Sequence, residues 1–336
     1  MRPVGRALCS LLGGLLLAAS ARADEPKTSP QGGGISSAAN GVDPNAVTLP
    51  ARVDAVELIG LVRTTKRVVM REFPWRVGQV VTPAQFELGI NRLWDTSMFS
   101  RVAARVTRRG DRNVAVFELE ERFPIRPLIE FQTGGGAEWF HLGVSDRNIL
   151  GQYLEAEGFY EYFNGESGGR IWFRDSRLFD QRLELRVVAD RLIRPRPAYL
   201  VRTTRGRIEL NHQVYDDLIK YGLRVDVLND DFFEPLDGSS PPLPSTMQAL
   251  IVEPGFRIGR VDSIRLRDRG LSIEMRGALG DTTRQGGQAF RRLWSEVNAN
   301  AIAGERWNFG IRMQYGSVTN QPDQMQFFIG GLDLLR

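Results

Sequence analysis

The chain has 336 residues, with 44 Lys and Arg against 40 Asp and Glu, two histidines and a single cysteine, for a formal net charge of +4. That inventory excludes a disulfide framework and a cysteine metal centre. Its basic residues are interleaved with apolar ones rather than blocked, so the charge is not a nucleic-acid footprint and no nucleic-acid partner is expected.

Residues 1–23 read as a signal peptide. Arg2 and Arg6 form a positive head, Ala7 to Ser20 an apolar core, and Ala21-Arg22-Ala23 a small-x-small cleavage pattern. The core is too short to be a spanning helix. Cleavage would start the mature chain near Asp24. It would remove Cys9, the one cysteine, and with Arg2, Arg6 and Arg22 most of the net positive charge. Residues 24–50 are rich in Pro, Gly, Ser and Asn and include Gly32-Gly33-Gly34. Such a segment buries too little apolar surface to fold alone and reads as a flexible linker.

Residues 51–122 read as a small α+β domain in the order strand, helix, helix, strand, strand. Val53, Ala55 and Glu57 alternate with Asp54, Val56 and Leu58, and Gly60 ends that strand. Thr64 or Thr65 can cap a first helix whose apolar side is Val68 and Val69. Thr82-Pro83 is a stronger helix start, a hydroxyl cap followed by proline at the first helical position. Phe86, Ile90, Leu93 and Trp94 then share one helical face. The last two strands run through Phe99 to Thr107 and Asn113 to Glu120, with Arg109-Gly110-Asp111 as the hairpin turn between them rather than an adhesion signal.

This arrangement resembles a POTRA domain, the periplasmic module of the outer-membrane protein-insertase superfamily. The resemblance covers residues 53–121. It rests on the Gly60 turn, the approach from Gly78 to Thr82, Met98-Phe99 before the second strand, and the exit Phe117-Glu118-Leu119-Glu120-Glu121. What it implies is a sheet edge for pairing with incoming chains, placed at Phe99, Arg101, Val102, Ala104 and Val106.

From residue 123 onward helical periodicity stops, and no apolar run reaches the roughly eighteen residues of a membrane-crossing helix. Alternation replaces it. Tyr221, Leu223, Val225 and Val227 alternate with Gly222, Arg224 and Asp226, and Leu271, Ile273 and Met275 with Ser272, Glu274 and Arg276. Trp307, Phe309, Ile311, Met313 and Tyr315 alternate with Asn308, Gly310, Arg312 and Gln314. One face apolar with aromatic ends and the other charged is what a lipid-facing strand around a wet lumen requires. Eleven such segments are expected, at 125–133, 138–147, 152–163, 168–176, 181–192, 198–212, 219–228, 250–261, 270–280, 291–302 and 305–315. The fold class expected is therefore mixed, a small βααββ domain followed by the N-terminal part of an antiparallel transmembrane β-barrel over 123–336. Because the small domain precedes the first barrel strand, residues 147–152 should be a periplasmic turn and residues 229–249 the longest extracellular loop. Asp230-Asp231 in that loop lack the remaining spacing of a calcium site and read as solvated.

The chain ends on Phe327-Phe328-Ile329-Gly330-Gly331-Leu332-Asp333-Leu334-Leu335-Arg336. Here it resembles the insertase superfamily of the BamA and TamA type, whose sixth extracellular loop carries Gly-Gly and then an aliphatic-Arg-Gly-aromatic motif. Gly330, Gly331, Leu335 and Arg336 match the start of that motif. The stretch from Gly143 to Gly151 is similar to the family's second barrel strand and turn. The resemblance implies a barrel of about sixteen strands, of which eleven are present here, a sequence truncated at Arg336, and an Arg336 guanidinium turned into the lumen.

No cofactor, metal or enzymatic activity is expected. His141 and His212 both fall in expected strands without ligand spacing, and no nucleophile, phosphate-loop or dinucleotide motif occurs. Three functional readings follow: an assembly or translocation factor that inserts or transports polypeptides by strand addition, a passive outer-membrane pore, and an anchor with a periplasmic protein-binding domain. The resemblance favours the first. It implies unfolded outer-membrane or secreted polypeptides as clients, periplasmic or lipoprotein partners, and residence in outer-membrane lipid of a bacterial cell.

Overall fold

A computed structural model describes residues 45–134, 137–195, 199–215, 218–235, 246–264, 267–282, 288–304 and 307–320. The signal peptide, most of the linker, and the motif residues Gly330, Gly331, Leu335 and Arg336 lie outside the described residues. Two bodies of structure follow one another: a small α+β domain and a large antiparallel sheet.

In the small domain, β1 (Ala51–Arg52) pairs with β3 (Val80–Val81), and β2 (Ala55–Ile59) lies parallel to β5 (Arg112–Glu121). The antiparallel strand β4 (Phe99–Arg109) completes a sheet of order β2-β5-β4. Helices α1 (Lys66–Met70) and α2 (Pro83–Asp95) cover one face. The three-stranded sheet and its two helices follow the βααββ order expected from the sequence, while the two-residue pair of β1 and β3, with β3 between the helices, was not expected. Thr82 caps α2 in a reciprocal capping box with Gln85, which satisfies two backbone donors that a helix start otherwise leaves open. The start of α1 is a correction. Its cap residue is Thr65, which makes no side-chain capping bond, and the Thr64 hydroxyl instead accepts from Asn148 Nδ2.

Period-3.6 and period-2 apolar residues meet in one core. Val68, Val69, Leu93, Phe99, Ala115 and Phe117 are fully buried there. The Phe73 ring stacks on Trp75 at 4.9 Å and on Phe117 at 4.6 Å between centroids. Each such ring removes a large apolar area from water, worth roughly 1.5–3 kcal/mol. Gly60, at φ +90, ends β2 because a Cβ there would sit 2.0 Å from the Leu119 carbonyl oxygen.

The large sheet has eleven strands in simple sequence order, each antiparallel to the next. These are β6 (Ile125–Gly134), β7 (Ala137–Ile149), β8 (Leu154–Phe163), β9 (Glu166–Asp175), β10 (Leu183–Pro195), β11 (Tyr199–Val214), β12 (Ile219–Pro235), β13 (Met247–Ile264), β14 (Arg267–Thr282), β15 (Gln288–Ala303) and β16 (Trp307–Thr319). All eleven expected segments are strands. Their polarity is inside out. Ile171, Leu223, Val227, Leu271, Ile273, Phe309, Ile311 and Met313 are exposed, whereas Asp190, Asp226, Glu253 and Glu296 are buried. Apolar side chains facing outward and carboxylates inward is stable only where the outer medium is hydrocarbon.

Each inward carboxylate finds arginine. Asp190 accepts from Arg170 and Arg205, Asp226 from Arg207 at 2.5 Å, Glu253 from Arg224 and Arg292 at 2.8 Å each, and Glu296 from Arg312 at 2.7 Å. No helix among the described residues is long and apolar enough to cross a membrane.

One loop expectation needs correction. Strands β12 and β13 continue well past their expected ends, so Asp230 and Asp231 sit on β12 rather than in a loop, with Thr203 Oγ1 donating to Asp230 at 2.6 Å. Backbone pairing continues there after the lipid-facing alternation has stopped. The β9–β10 connection is longer than the two-residue turn between β8 and β9, because it reaches the small domain.

Candidate functional site: a sheet edge held at the barrel mouth

β4 is an edge strand of the small sheet. Its register with β5 sorts the residues named from the sequence. Val102, Ala104 and Val106 face Leu119, Phe117 and Ala115, and they direct backbone N–H and C=O groups away from β5. Their side chains point into or against the core. Arg101 faces Glu120 across the sheet, keeps its backbone toward β5 and leaves its guanidinium exposed on the outer face. Phe99 is unsuited to pairing: its ring is buried and its carbonyl accepts the Arg122 Nε–H at 2.9 Å, beyond a bulge. At Val106 the outward carbonyl is taken by Val47 N–H at 2.9 Å. Among the described residues, nothing pairs with the outward groups of Val102 and Ala104.

Among the described residues, the domain is clamped to one end of the large sheet through the end of β7, the β7–β8 turn and the β9–β10 connection. Three successive backbone N–H groups, of Val62, Arg63 and Thr64, donate to the Glu121 carboxylate at 3.2, 2.9 and 2.8 Å. Burial alone would raise that carboxyl. The bonds from Thr64, Arg63 and Val62 outweigh burial and hold it below the ordinary value. The loop so fixed meets the barrel. Arg63 pairs with Asp146 at 2.9 Å, Asn148 Nδ2 donates to the Thr64 hydroxyl at 2.8 Å, and Thr65 N–H donates to the Gly151 carbonyl at 3.0 Å. Only glycine fits at 151, because φ is +69 and a Cβ would lie 1.9 Å from the Arg63 carbonyl oxygen. Tyr153, on the same turn, is inserted into the core of the small domain. Burial, reinforced by the Glu155 carboxylate, pushes its hydroxyl up to about 12.

The second contact is ionic. Glu72 is almost fully buried and is held bidentate by Arg177 of the β9–β10 connection at 2.9 and 2.8 Å. Asp180, on the same connection, takes Arg67 and Arg71. Its carboxyl is lowered first by the Arg67 hydrogen bond. These interactions fix the β4 edge relative to the barrel mouth.

Sequence reasoning located the edge and missed the clamp. One signal was available: the stretch from Gly143 to Gly151, which carries the family resemblance, supplies Asp146, Asn148 and Gly151. Glu72 and Arg177 left none. The two histidines have structural surroundings. His141 packs against Trp139 and Phe159, and His212 Nδ1 shares a 2.7 Å hydrogen bond with the Tyr221 hydroxyl. Among the described residues, no group of three His, Cys, Asp or Glu is placed to hold a metal ion.

A small α+β domain leading into an antiparallel meander with an apolar outer face defines a domain-plus-barrel fold, and comparison with solved structures shows the same fold. BamA from Haemophilus ducreyi lacking POTRA domains 1–3 superposes with a TM-score of 0.57 at 12% identity, over 83% of this chain and 58% of that one. CdiB from Acinetobacter baumannii gives 0.48 at 10% identity over 84% of this chain and 55% of that one, and CdiB from Escherichia coli 0.43 at 11% over 80% and 54%. The fold likeness rests on the first of these. This chain thus spans a little over half the length of the BamA structure that it matches. No family model and no curated protein matches the sequence.

Proposed function

We propose that this chain is an outer-membrane assembly or translocation factor that receives unfolded polypeptides at the β4 edge and passes them to the barrel wall. The observation that carries the reading is the pair of unpaired outward positions, Val102 and Ala104, on an edge strand fixed at the barrel mouth through Glu72 and Arg177. An exposed edge is normally blunted or covered, because it templates pairing with other chains. Strand addition uses the same property for recognition: backbone bonds supply affinity with little regard for sequence. The reading involves no cofactor and no catalytic step. It puts the barrel in outer-membrane lipid and the small domain in the periplasm, as a POTRA domain, where further periplasmic or lipoprotein partners can reach it.

The test is site-specific photo-crosslinking. A photoreactive residue at the exposed Arg101 on β4, and another at the exposed Glu87 on α2 as control, are offered an unfolded outer-membrane barrel polypeptide. We expect an adduct at 101 and little at 87. Equal adducts, or none at either, would favour a passive pore or an anchor.

A further inference from the structure

Part of the β4 edge is already occupied by the chain itself. Residues 45–47 run antiparallel along it, with Ala46 opposite Thr107. Val47 N–H donates to the Val106 carbonyl at 2.9 Å, and Arg108 N–H donates to the Asn45 carbonyl at 2.8 Å. Val47 and Leu49 pack against the core while Ala46 and Thr48 stay exposed, the alternation of a half-buried strand. The chain then leaves the edge to form β1, so among the described residues nothing covers Val102 and Ala104. Continued in register, residues 49 and 51 would lie opposite them. The occupied and open positions are thus one continuous site, and a strand added antiparallel at Val102 and Ala104 runs into Val47 as it lengthens.

Resting on the reading of β4 as the receiving edge, we propose that residues 45–47 are an internal competitor strand. An extended polypeptide of alternating polarity joins β4 antiparallel and gains the Val106 and Arg108 positions only by displacing this segment. Its hold is weak by construction, with two neutral backbone hydrogen bonds and one partly buried valine, so an incoming strand of ordinary length can outcompete it.

The probe is a synthetic peptide with the sequence of residues 307–319, one of the chain's own alternating strands, offered to the full chain folded in detergent. Val47→Pro removes the N–H that bonds Val106. It should tighten peptide binding about tenfold, equivalent to 1.4 kcal/mol. Ala46→Cys with Thr107→Cys does the reverse. These residues form a non-hydrogen-bonded pair, a geometry that accepts a disulfide, and the mature chain as read here carries no other cysteine. Oxidation should weaken binding, and reduction should restore it. In the wild type, bound peptide should speed hydrogen exchange at Val47 N–H. If the peptide binds the wild type while neither variant alters affinity and Val47 stays protected, the competitor role is wrong and the receiving edge stands. If the peptide binds no form, the receiving edge itself is wrong, and the competitor role falls with it.

Discussion

Arg177→Ala should loosen the small domain from the barrel without unfolding either. Glu72 is 1% exposed and held by two short bonds from Arg177. Removing one partner of a buried ion pair leaves an uncompensated charge and costs ~3–5 kcal/mol. Arg71 Nε remains 3.7 Å from Glu72 and offsets part of this, so the lower end applies. About 3 kcal/mol corresponds to roughly a hundredfold increase in local opening. The reporter is Thr65 N–H, which bonds Gly151 across the seam at 3.0 Å. Hydrogen exchange read by mass spectrometry in detergent should show its protection fall by about that factor, while amides of β10 and β11 are unchanged. Replacing both partners, Glu72→Met with Arg177→Met, should recover most of the loss because no charge is then stranded. A change of less than about threefold in the single variant, with the barrel intact, would show that the ion pair does not hold the seam.

Three further outcomes follow from the same geometry. Gly151→Ala should free the β7–β8 turn from the small domain, since its methyl would meet the Arg63 carbonyl; loss of Thr65 protection with normal barrel folding checks it. The Glu121 contact with the loop at Thr64 should be insensitive to pH down to the ordinary carboxylate value of 4.5. Glu121 is depressed below that value, so its stabilisation is full above 4.5 and is lost as pH falls through its lower folded value. Exchange at Thr64, corrected for intrinsic rate, reads this, and loosening already between neutral pH and 4.5 would contradict it. Ile273→Arg, on the outer face near the middle of β14, should destabilise the barrel by ~2–4 kcal/mol in lipid vesicles, measured by denaturant unfolding.

What the sequence made legible was whatever repeats. Period-two polarity located all eleven strands of the large sheet because lipid outside and charge inside impose it on every residue. The run from Trp307 to Tyr315 was the sharpest case. Where strands leave the hydrocarbon, that constraint ends while backbone pairing continues, and β12 was accordingly ended too early and β13 begun too late. In the small domain, the Thr82-Pro83 start and the hairpin at Gly110 are local chemistry and were readable. The clamp was not: Glu72 and Arg177 lie 105 positions apart and mark no period. Thr64 was misread because a hydroxyl before a helix ordinarily caps it, whereas here Asn148 of the barrel claims it. The segment at Asn45 has linker composition, and two backbone bonds to β4 need no particular side chains.

The most direct test of polypeptide reception at β4 is Val102→Pro. Val102 N–H points away from β5, so proline removes an edge donor without breaking the internal ladder. The full chain in phospholipid vesicles is offered an unfolded outer-membrane barrel protein, and its folding is followed by electrophoretic mobility. We expect the wild type to accelerate folding over empty vesicles, and Val102→Pro to lose most of that acceleration while remaining membrane-integrated. Equal acceleration by both proteins, or none by the wild type, would contradict reception at this edge.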